Sequence, residues 1–201
     1  MLPITAIGAA LLAFATGSYA QNYTQSANFT LWLSSEDPVY NATFLVACHI
    51  GAASESLCPY STLPKPSGVT DGTPSKFQFN TTSYSDGEGG YLTWGLQYSS
   101  KEGVFTASSG MSLSYNPTSN VAVPYFNPGP GKAVVAFDSN NYLNVPAYNS
   151  TDGTYYPLYH WYVCEKVDSN YGWTELVWVA GPGAPDRYPN CCPVGVVRVP
   201  A

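Results

Sequence analysis

The sequence predicts a single all-β domain, an antiparallel β-sandwich or barrel of about ten short strands linked by disulfides. Apolar and aromatic stretches alternate with clusters of Gly, Pro, Asn and Asp at intervals of about 8–12 residues, which is the spacing of strands and turns. Only 10% of the residues are charged, whereas 17 are tyrosines, and this composition favours strands over helices. No stretch shows sustained helical periodicity between helix caps.

The central element is a predicted hairpin formed by residues 159–164 and 173–180. Both stretches are rich in aromatic and β-branched residues, and turn formers (Asp, Asn and Gly) lie between them. Side-chain alternation places Trp161 and Tyr162 on opposite faces. Because both faces carry bulky residues, we expect the hairpin to lie inside the sheet rather than at its edge.

Shorter stretches of the same kind predict the remaining strands. These are residues 29–33, 42–49, 76–80, 91–98, 111–115, 121–126, 133–137, 142–145 and 194–199. Pro124 indicates an edge or a strand end, because proline cannot donate a ladder hydrogen bond. Residues 51–58 predict a helical turn or a tight loop, and four prolines make residues 59–74 an irregular loop.

Residues 1–20 have the pattern of a secretory signal peptide that is removed from the mature protein. An apolar run over residues 4–14 precedes two small residues, Ser18 and Ala20, which suits cleavage after residue 20. The run is shorter than the roughly 20 residues that a membrane span needs. We therefore expect residues 21–201 to form one exported β-rich domain with no membrane span.

The charge of the chain disfavours nucleic acid as a partner. The formal net charge is −6 and the pI is about 4.6, whereas phosphate backbones require a basic patch. The seven Lys and Arg residues are scattered singly along the chain, so none of its segments supplies such a patch.

Five N-glycosylation sequons occur in the chain. They begin at Asn22, Asn28, Asn41, Asn80 and Asn149. Five such sequons in a short exported chain predict a glycoprotein, whose glycans would lie on solvent-facing loops or strand ends.

The five cysteines predict disulfides, because exported chains fold in oxidising compartments. Cys48 and Cys58 enclose a compact loop, and a bridge between them would hold the end of the second strand. Cys164 then pairs with Cys191 or Cys192, which ties the hairpin to the last strand. A Cys191–Cys192 bridge would be strained, since adjacent Cα atoms are only about 3.8 Å apart. The remaining cysteine is either a buried thiol or an intermolecular link.

No residue pattern identifies a catalytic centre, a metal site or a cofactor. A Gly-x-Ser-x-Gly nucleophile elbow is absent, and neither His49 nor His160 has metal-ligand spacing around it. Glu175 lies between two tryptophans, a context that resembles the cleft of a glycoside hydrolase, which needs a second carboxylate about 5–10 Å away. Strand alternation favours the simpler interpretation of a carboxylate on a solvated strand face.

The surplus of aromatic residues is the feature most indicative of binding. Trp94, Tyr91 and Tyr171 are candidates for glycan stacking, because exposed flat rings pack against sugar rings. Trp161 and Trp178 are instead predicted to fill the core.

Several short segments resemble a family of small, secreted, cysteine-containing, β-rich fungal (ascomycete) proteins of unestablished function. The segments are residues 47–53, 57–58, 113–117, 121–124, 161–164 and 192–199. The resemblance implies export, a β-rich fold and a Cys164–Cys192 disulfide, and it implies no activity. Cys191 has no counterpart in the family pattern.

Together these features lead to the hypothesis of a secreted, N-glycosylated, non-enzymatic protein of the fungal cell wall or its surroundings, which binds glycan or another surface. The expected partners are cell-wall polysaccharide or an extracellular protein. One alternative is an extracellular glycoside hydrolase that uses Glu175 and a second carboxylate. Another is a secreted effector that binds a partner protein through residues 59–74.

Overall fold

The structure is a computed structural model that describes residues 23–63, 72–82, 89–165, 167, 171–188 and 190–201. The predicted signal peptide, the sequon at Asn22 and the middle of the predicted loop at residues 59–74 lie outside these ranges.

The described residues form fifteen β-strands, one short 3-10 turn (η1) and no α-helix, which confirms the all-β prediction. The elements are β1 (Tyr23–Gln25), β2 (Phe29–Ser34), β3 (Leu45–Gly51), β4 (Ser54–Pro59), η1 (Tyr60–Thr62), β5 (Phe77–Thr82), β6 (Gly90–Ser100), β7 (Gly103–Tyr115), β8 (Val121–Pro128), β9 (Ala136–Phe137), β10 (Leu143–Asn149), β11 (Thr154–Leu158), β12 (Trp161–Cys164), β13 (Glu175–Val179), β14 (Cys191–Pro193) and β15 (Gly195–Pro200). Within the described ranges, no helix has the length and apolar character needed to cross a membrane.

The main sheet contains twelve strands and follows the order β14-β12-β13-β8-β7-β6-β5-β2-β15. β1 pairs with β5, and the β3–β4 hairpin joins the sheet through β8. The strands at the two ends of the path, β14 and β15, are separated in the chain only by Val194. The antiparallel sheet therefore curls back on itself into a nearly closed, barrel-like shape.

A smaller sheet of β9, β10 and β11 lies beside the main one. Two isolated bridges connect the regions: Tyr142 pairs with Val197 of β15, and Val135 pairs with Gly90 at the start of β6. The small sheet is thereby held against β15 and β6.

The interior of the barrel holds the main hydrophobic core. Trp161, Leu176 and Phe126 are among its fully buried members. Trp161 packs edge-on against Trp178 with ring centroids 4.8 Å apart, and its Nε1 donates to the carbonyl of Leu143 at 2.9 Å. The predicted core role of both tryptophans is confirmed.

The predicted hairpin is present as β12 and β13. Trp161 lies opposite Trp178, and Cys164 lies opposite Glu175. β12 also pairs with β14, and β13 also pairs with β8, so neither strand is an edge.

Three local predictions differ from the structure. Residues 51–58, expected as a helical turn or loop, contain all but the last residue of β4, whose Ser56 hydroxyl donates to the carbonyl of Pro124 at 3.0 Å. Pro124 lies within β8 rather than at its end. On one side, β8 pairs with β13 up to Ala122 and with β4 from Tyr125 onwards, so proline sits where the partner strand changes and no ladder hydrogen bond is lost. β11, which contains Pro157, matches none of the predicted strands.

Four of the five cysteines form two disulfides. Cys48–Cys58 closes the β3–β4 hairpin, as the spacing predicts. Cys164 bonds to Cys191, and Cys192 is a free thiol, so the Cys164–Cys192 pairing implied by the resemblance is wrong. Cys164 lies directly opposite Cys191, with Cα atoms 4.2 Å apart, whereas Cys192 is one residue further along β14 and points to the other face.

Candidate functional site

The outer face of β13 is buried, although it lies outside the barrel interior. The side chains of Glu175 and Val177 both point to this face, because residues two apart on a strand share a face. Val177 packs in a second hydrophobic cluster with Val167 and Tyr188, which belong to the two chain connections on either side of β13. Cys164 is part of the same cluster, so its disulfide to β14 helps to hold these connections in place.

A cavity of about 530 Å³ opens beside this covered face. The volume falls within the range of about 300–1,000 Å³ that is usual for small-ligand sites. Its walls come from the β3–β4 hairpin, the β7–β8 hairpin, β13 and the covering connections. We call it the tyrosine cavity, and its lining includes Tyr115, Tyr125, Tyr188, Ser54, Asn127 and Glu175.

Glu175 supplies the carboxyl group of the tyrosine cavity. It is only 1% exposed, so its interpretation as a carboxylate on a solvated strand face is wrong. The connections that carry Val167 and Tyr188 cover this face. Glu175 is the single carboxyl group among the described lining residues, so the second carboxylate that a glycoside hydrolase needs is not found there.

Asn127 and Ser54 place an amide and a hydroxyl group in the wall of the tyrosine cavity. The amide nitrogen Nδ2 of Asn127 donates to Ser54 Oγ at 2.9 Å. The amide oxygen Oδ1 is buried and has no hydrogen-bond partner among the described protein atoms. An unpaired buried acceptor costs about 1–3 kcal/mol.

The tyrosine rings lie at different depths of the cavity. Tyr115, at the end of β7, is 59% exposed, whereas Tyr188 is 9% exposed. Tyr125 is half-buried and shares one face of β8 with Asn127, because the two residues alternate along the strand. The cavity therefore combines an exposed ring at its lip with rings in its wall.

The β3–β4 hairpin carries an acid–base pair beside the cavity, and an aromatic pair from the β12–β13 connection contacts it. His49 Nδ1 lies 3.1 Å from Glu55 Oε1. Burial raises the pKa of Glu55, and the hydrogen bond and charge of His49 offset this only in part. Trp173 Nε1 donates to the carbonyl of His49 at 2.9 Å, and Tyr171 stacks on Trp173 with centroids 5.9 Å apart. Since His49 directly precedes the lining residue Ile50, this aromatic pair is anchored to a cavity wall.

The three predicted glycan-stacking residues do not form one surface. Trp94 is partly buried and packs against the barrel core. Tyr91 lies three residues earlier on β6, points to the opposite face and contacts Tyr23 edge-on at 6.0 Å. Tyr171 is 48% exposed and is the member of the set that lies beside the tyrosine cavity.

The histidines make contacts with neighbouring residues rather than with one another. The ring of His160 stacks on Trp178 with centroids 5.4 Å apart, and its Nδ1 lies 3.3 Å from the carbonyl of Val179. Over the described part of the chain, no three His, Cys, Asp or Glu side chains are grouped in a way that suits a metal ion.

Four of the sequons lie within the described residues. Asn28 and Asn41 are exposed and lie between strands. Asn149 is half-buried at the end of β10, where its Oδ1 accepts a hydrogen bond from the backbone of Thr151 at 3.0 Å. Asn80 is half-buried within β5, a less open position than the loops and strand ends expected for glycans.

Comparison with known proteins identifies one family. A family described as a domain of unknown function (DUF7907) matches residues 26–200, which is most of the chain. The chain belongs to the DUF7907 family. No curated protein and no solved structure matches it.

Some lining residues of this DUF7907 domain were not among the sequence candidates. Tyr125 and Asn127 follow Pro124, which the sequence pattern marks as a strand end. Val123, Tyr125 and Asn127 are two residues apart along one strand, and this spacing alone predicts that their side chains share a face. Tyr188 lies in a connection without periodicity, and its place in the DUF7907 cavity depends on tertiary packing.

Proposed function

We propose that this DUF7907 domain is a secreted, N-glycosylated, non-enzymatic glycan-binding protein of the fungal cell wall or its surroundings. The observation that carries the proposal is the tyrosine cavity, where three aromatic rings, an amide, a hydroxyl and a carboxyl group converge. Sugars present C–H faces that pack on aromatic rings and hydroxyl groups that hydrogen-bond to polar side chains.

Each group of the cavity has a role in this proposal. Tyr115 at the lip and Tyr125 in the wall provide faces for a sugar ring. The unpaired Oδ1 of Asn127 accepts a hydrogen bond from a sugar hydroxyl, which removes the cost of a buried unpaired acceptor. The carboxyl group of Glu175 lies at the buried end of the cavity.

The test is calorimetric titration with oligosaccharides of β-glucan, chitin and mannan. Tyr115→Ala is expected to weaken binding about 2- to 13-fold, because an aromatic stack contributes about 0.5–1.5 kcal/mol. Tyr148→Ala is the matched control, since Tyr115 and Tyr148 are each 59% exposed and Tyr148 does not line the cavity. Equal effects of the two substitutions, or no binding of any of these glycans, would contradict the proposal.

Export and glycosylation are supported by the signal-peptide pattern, the five sequons and the two disulfides. Expression in a fungal host is expected to release a protein that begins at Gln21 and loses mass after endoglycosidase treatment. Terminal sequencing and mass spectrometry measure both properties. An uncleaved terminus in the intracellular fraction would contradict export.

A glycoside hydrolase is the second candidate function, because Glu175 lines the cavity. This reaction requires another carboxylate to complete the pair. Glu175→Gln is expected to abolish the release of reducing ends if the hydrolase hypothesis holds. A wild-type protein that binds a glycan without releasing reducing ends from it would remove this candidate and leave glycan binding intact.

A further inference from the structure

A second cavity, of about 420 Å³, lies between the small β9–β10–β11 sheet and strands β5 and β15. Its lining includes Arg198, Asp138, Asn144, Tyr155, Tyr156 and Phe137. None of these residues lines the tyrosine cavity, so the two are separate sites. We call it the Arg198 cavity.

Arg198 brings a half-buried positive charge to this cavity. Its Nε and Nη2 donate to Asn141 Oδ1 at 3.2 and 2.7 Å, and its guanidinium carbon lies 4.5 Å from the ring centroid of Phe137. These contacts fix the plane of the guanidinium group but leave three of its five N–H donors unused. Among the described residues, no carboxylate forms an ion pair with Arg198.

Asp138 contributes a fixed negative charge to the same cavity. Burial acts to raise the pKa of Asp138, but hydrogen bonds from the backbone of Tyr142, the hydroxyl of Tyr159 and the backbone of Asn140 outweigh it and lower the pKa. Its Oδ1 accepts the two backbone bonds, and its Oδ2 accepts the bond from Tyr159 at 2.8 Å. Each carboxylate oxygen has about two acceptor sites, so Oδ2 keeps one for a ligand.

We propose that the Arg198 cavity binds a sugar acid, a ring that carries one carboxylate and several hydroxyl groups. The carboxylate accepts hydrogen bonds from the unused donors of Arg198, whose planar fork matches carboxylate geometry. A hydroxyl group donates to Oδ2 of Asp138, and a tyrosine of β11 lies beside the ring.

The charges of the cavity select a monoanion over a phosphate dianion. One uncompensated arginine balances one carboxylate, whereas the second charge of a dianion would face Asp138. The chain as a whole has a net charge of −6, so it does not attract anions in general. Recognition of a carboxylate therefore depends on Arg198 itself.

The test is calorimetric titration of the whole secreted domain with D-glucuronate, D-glucose, inorganic phosphate and trigalacturonate. Glucuronate and glucose differ only in the carboxylate, so glucuronate is expected to bind at least tenfold more tightly. Equal affinity for the two sugars, or tighter binding of phosphate than of glucuronate, would overturn the proposal. Trigalacturonate is compared with its own monomer, D-galacturonate: tighter binding of the trimer identifies a polymer chain as the source of the acid, and equal or weaker binding identifies a free sugar acid.

Arg198→Gln is expected to weaken glucuronate binding about 10- to 100-fold, because charge-assisted hydrogen bonds are lost. Arg187→Gln is the matched control, because it removes the same charge from an exposed arginine that contacts Thr118, away from this cavity. Equal loss in both variants would assign the effect to net charge and overturn the proposal. If circular dichroism shows that Arg198→Gln does not fold, Arg198→Lys is used instead, because it keeps the charge but lacks the planar guanidinium group. Unchanged glucuronate affinity in Arg198→Lys would contradict the proposal.

This inference is independent of the glycan-binding proposal, because the two cavities share no lining residue. Tyr115→Ala is expected to leave glucuronate affinity unchanged. Loss of glucuronate binding in Tyr115→Ala would place the ligand in the tyrosine cavity and overturn the assignment.

Discussion

Strand β13 is buried on both faces, but different kinds of structure cover them. On the inner face, Leu176 and Trp178 pack in the continuous barrel core. On the outer face, Glu175 and Val177 lie beneath chain connections that contribute Val167 and other residues. The inner face is closed by regular strands, whereas the outer face is closed by irregular segments that a disulfide holds.

The comparison shows where stability and binding reside in this molecule. The inner cluster consists of hydrophobic side chains whose burial is the main source of folding energy. The outer face instead buries polar groups next to an open cavity, which is the arrangement of a ligand site. Substitutions on the inner face should therefore change stability, and those of side chains that line the cavity should change binding more than stability.

The largest effect is expected for Trp161→Ala on the inner face. Trp161 is 1% exposed and donates its Nε1–H to Leu143, so the substitution leaves both a large void and an unpaired carbonyl. The free energy of unfolding is expected to fall by about 3–5 kcal/mol, measured by urea denaturation. Tyr171→Ala, at a ring that is 48% exposed, is the control and should cost far less. Similar losses in both variants would contradict the role of Trp161 in the barrel core.

A smaller effect is expected when the outer-face disulfide is removed. Cys164 and Cys191 are separated by 27 residues, so Cys164→Ala with Cys191→Ala should cost about 3–4 kcal/mol. Hydrogen exchange is expected to show loss of protection first around Val167 and Tyr188, because the bridge holds the segments that cover β13.

The Cys48–Cys58 bridge is the matched control for that experiment. Its separation of 10 residues gives an expected cost of about 3 kcal/mol, and its loss should leave protection around Tyr188 intact. Equal loss of protection at Tyr188 in both double variants would show that the Cys164–Cys191 bridge has no special role in covering the outer face.

How far the sequence predicts the molecule depends on the same contrast. Alternation in residues 159–164 predicts the inner position of Trp161 correctly, because a strand has only two faces. The burial of Glu175 does not follow from alternation, since it depends on connections that pack over the strand from elsewhere in the chain. β4 is missed because its sequence, with two serines and a glutamate, lacks the apolar pattern of a strand, and its polar groups are satisfied only by tertiary contacts such as Ser56 to Pro124.

The cysteines show the same limit within a few residues. The spacing predicts Cys48–Cys58, since the two residues lie in adjacent strands of one hairpin. The choice between Cys191 and Cys192 depends on the register of β14 against β12. A shift of the register by one residue would exchange the faces to which the two cysteines point.

A third prediction concerns the free thiol of Cys192. Its Sγ lies 3.3 Å from the hydroxyl of Ser35 in a partly exposed position, so Cys192→Ser should change stability by less than about 1 kcal/mol. Alkylation of the unfolded, unreduced protein followed by peptide mapping is expected to label Cys192 alone. A mapped bridge between Cys164 and Cys192 would contradict the observed register.

The smallest effect is expected for the buried acid of the β3–β4 hairpin. Burial raises the pKa of Glu55 above its ordinary value of 4.5 in the folded protein, and His49 offsets this only in part. An acid whose pKa is raised by folding binds more protons in the folded state, so its stabilising contribution is present below pH 4.5 and is lost as the pH rises through the folded pKa. Glu55→Gln, which keeps an oxygen that can accept from His49, should remove this dependence.

The measurement is the free energy of unfolding of wild type and Glu55→Gln as a function of pH. The two proteins are expected to differ least below pH 4.5, and the variant should gain relative to wild type as the pH rises above that value. A variant that loses stability relative to wild type as the pH rises would show that the ionised Glu55–His49 pair outweighs burial.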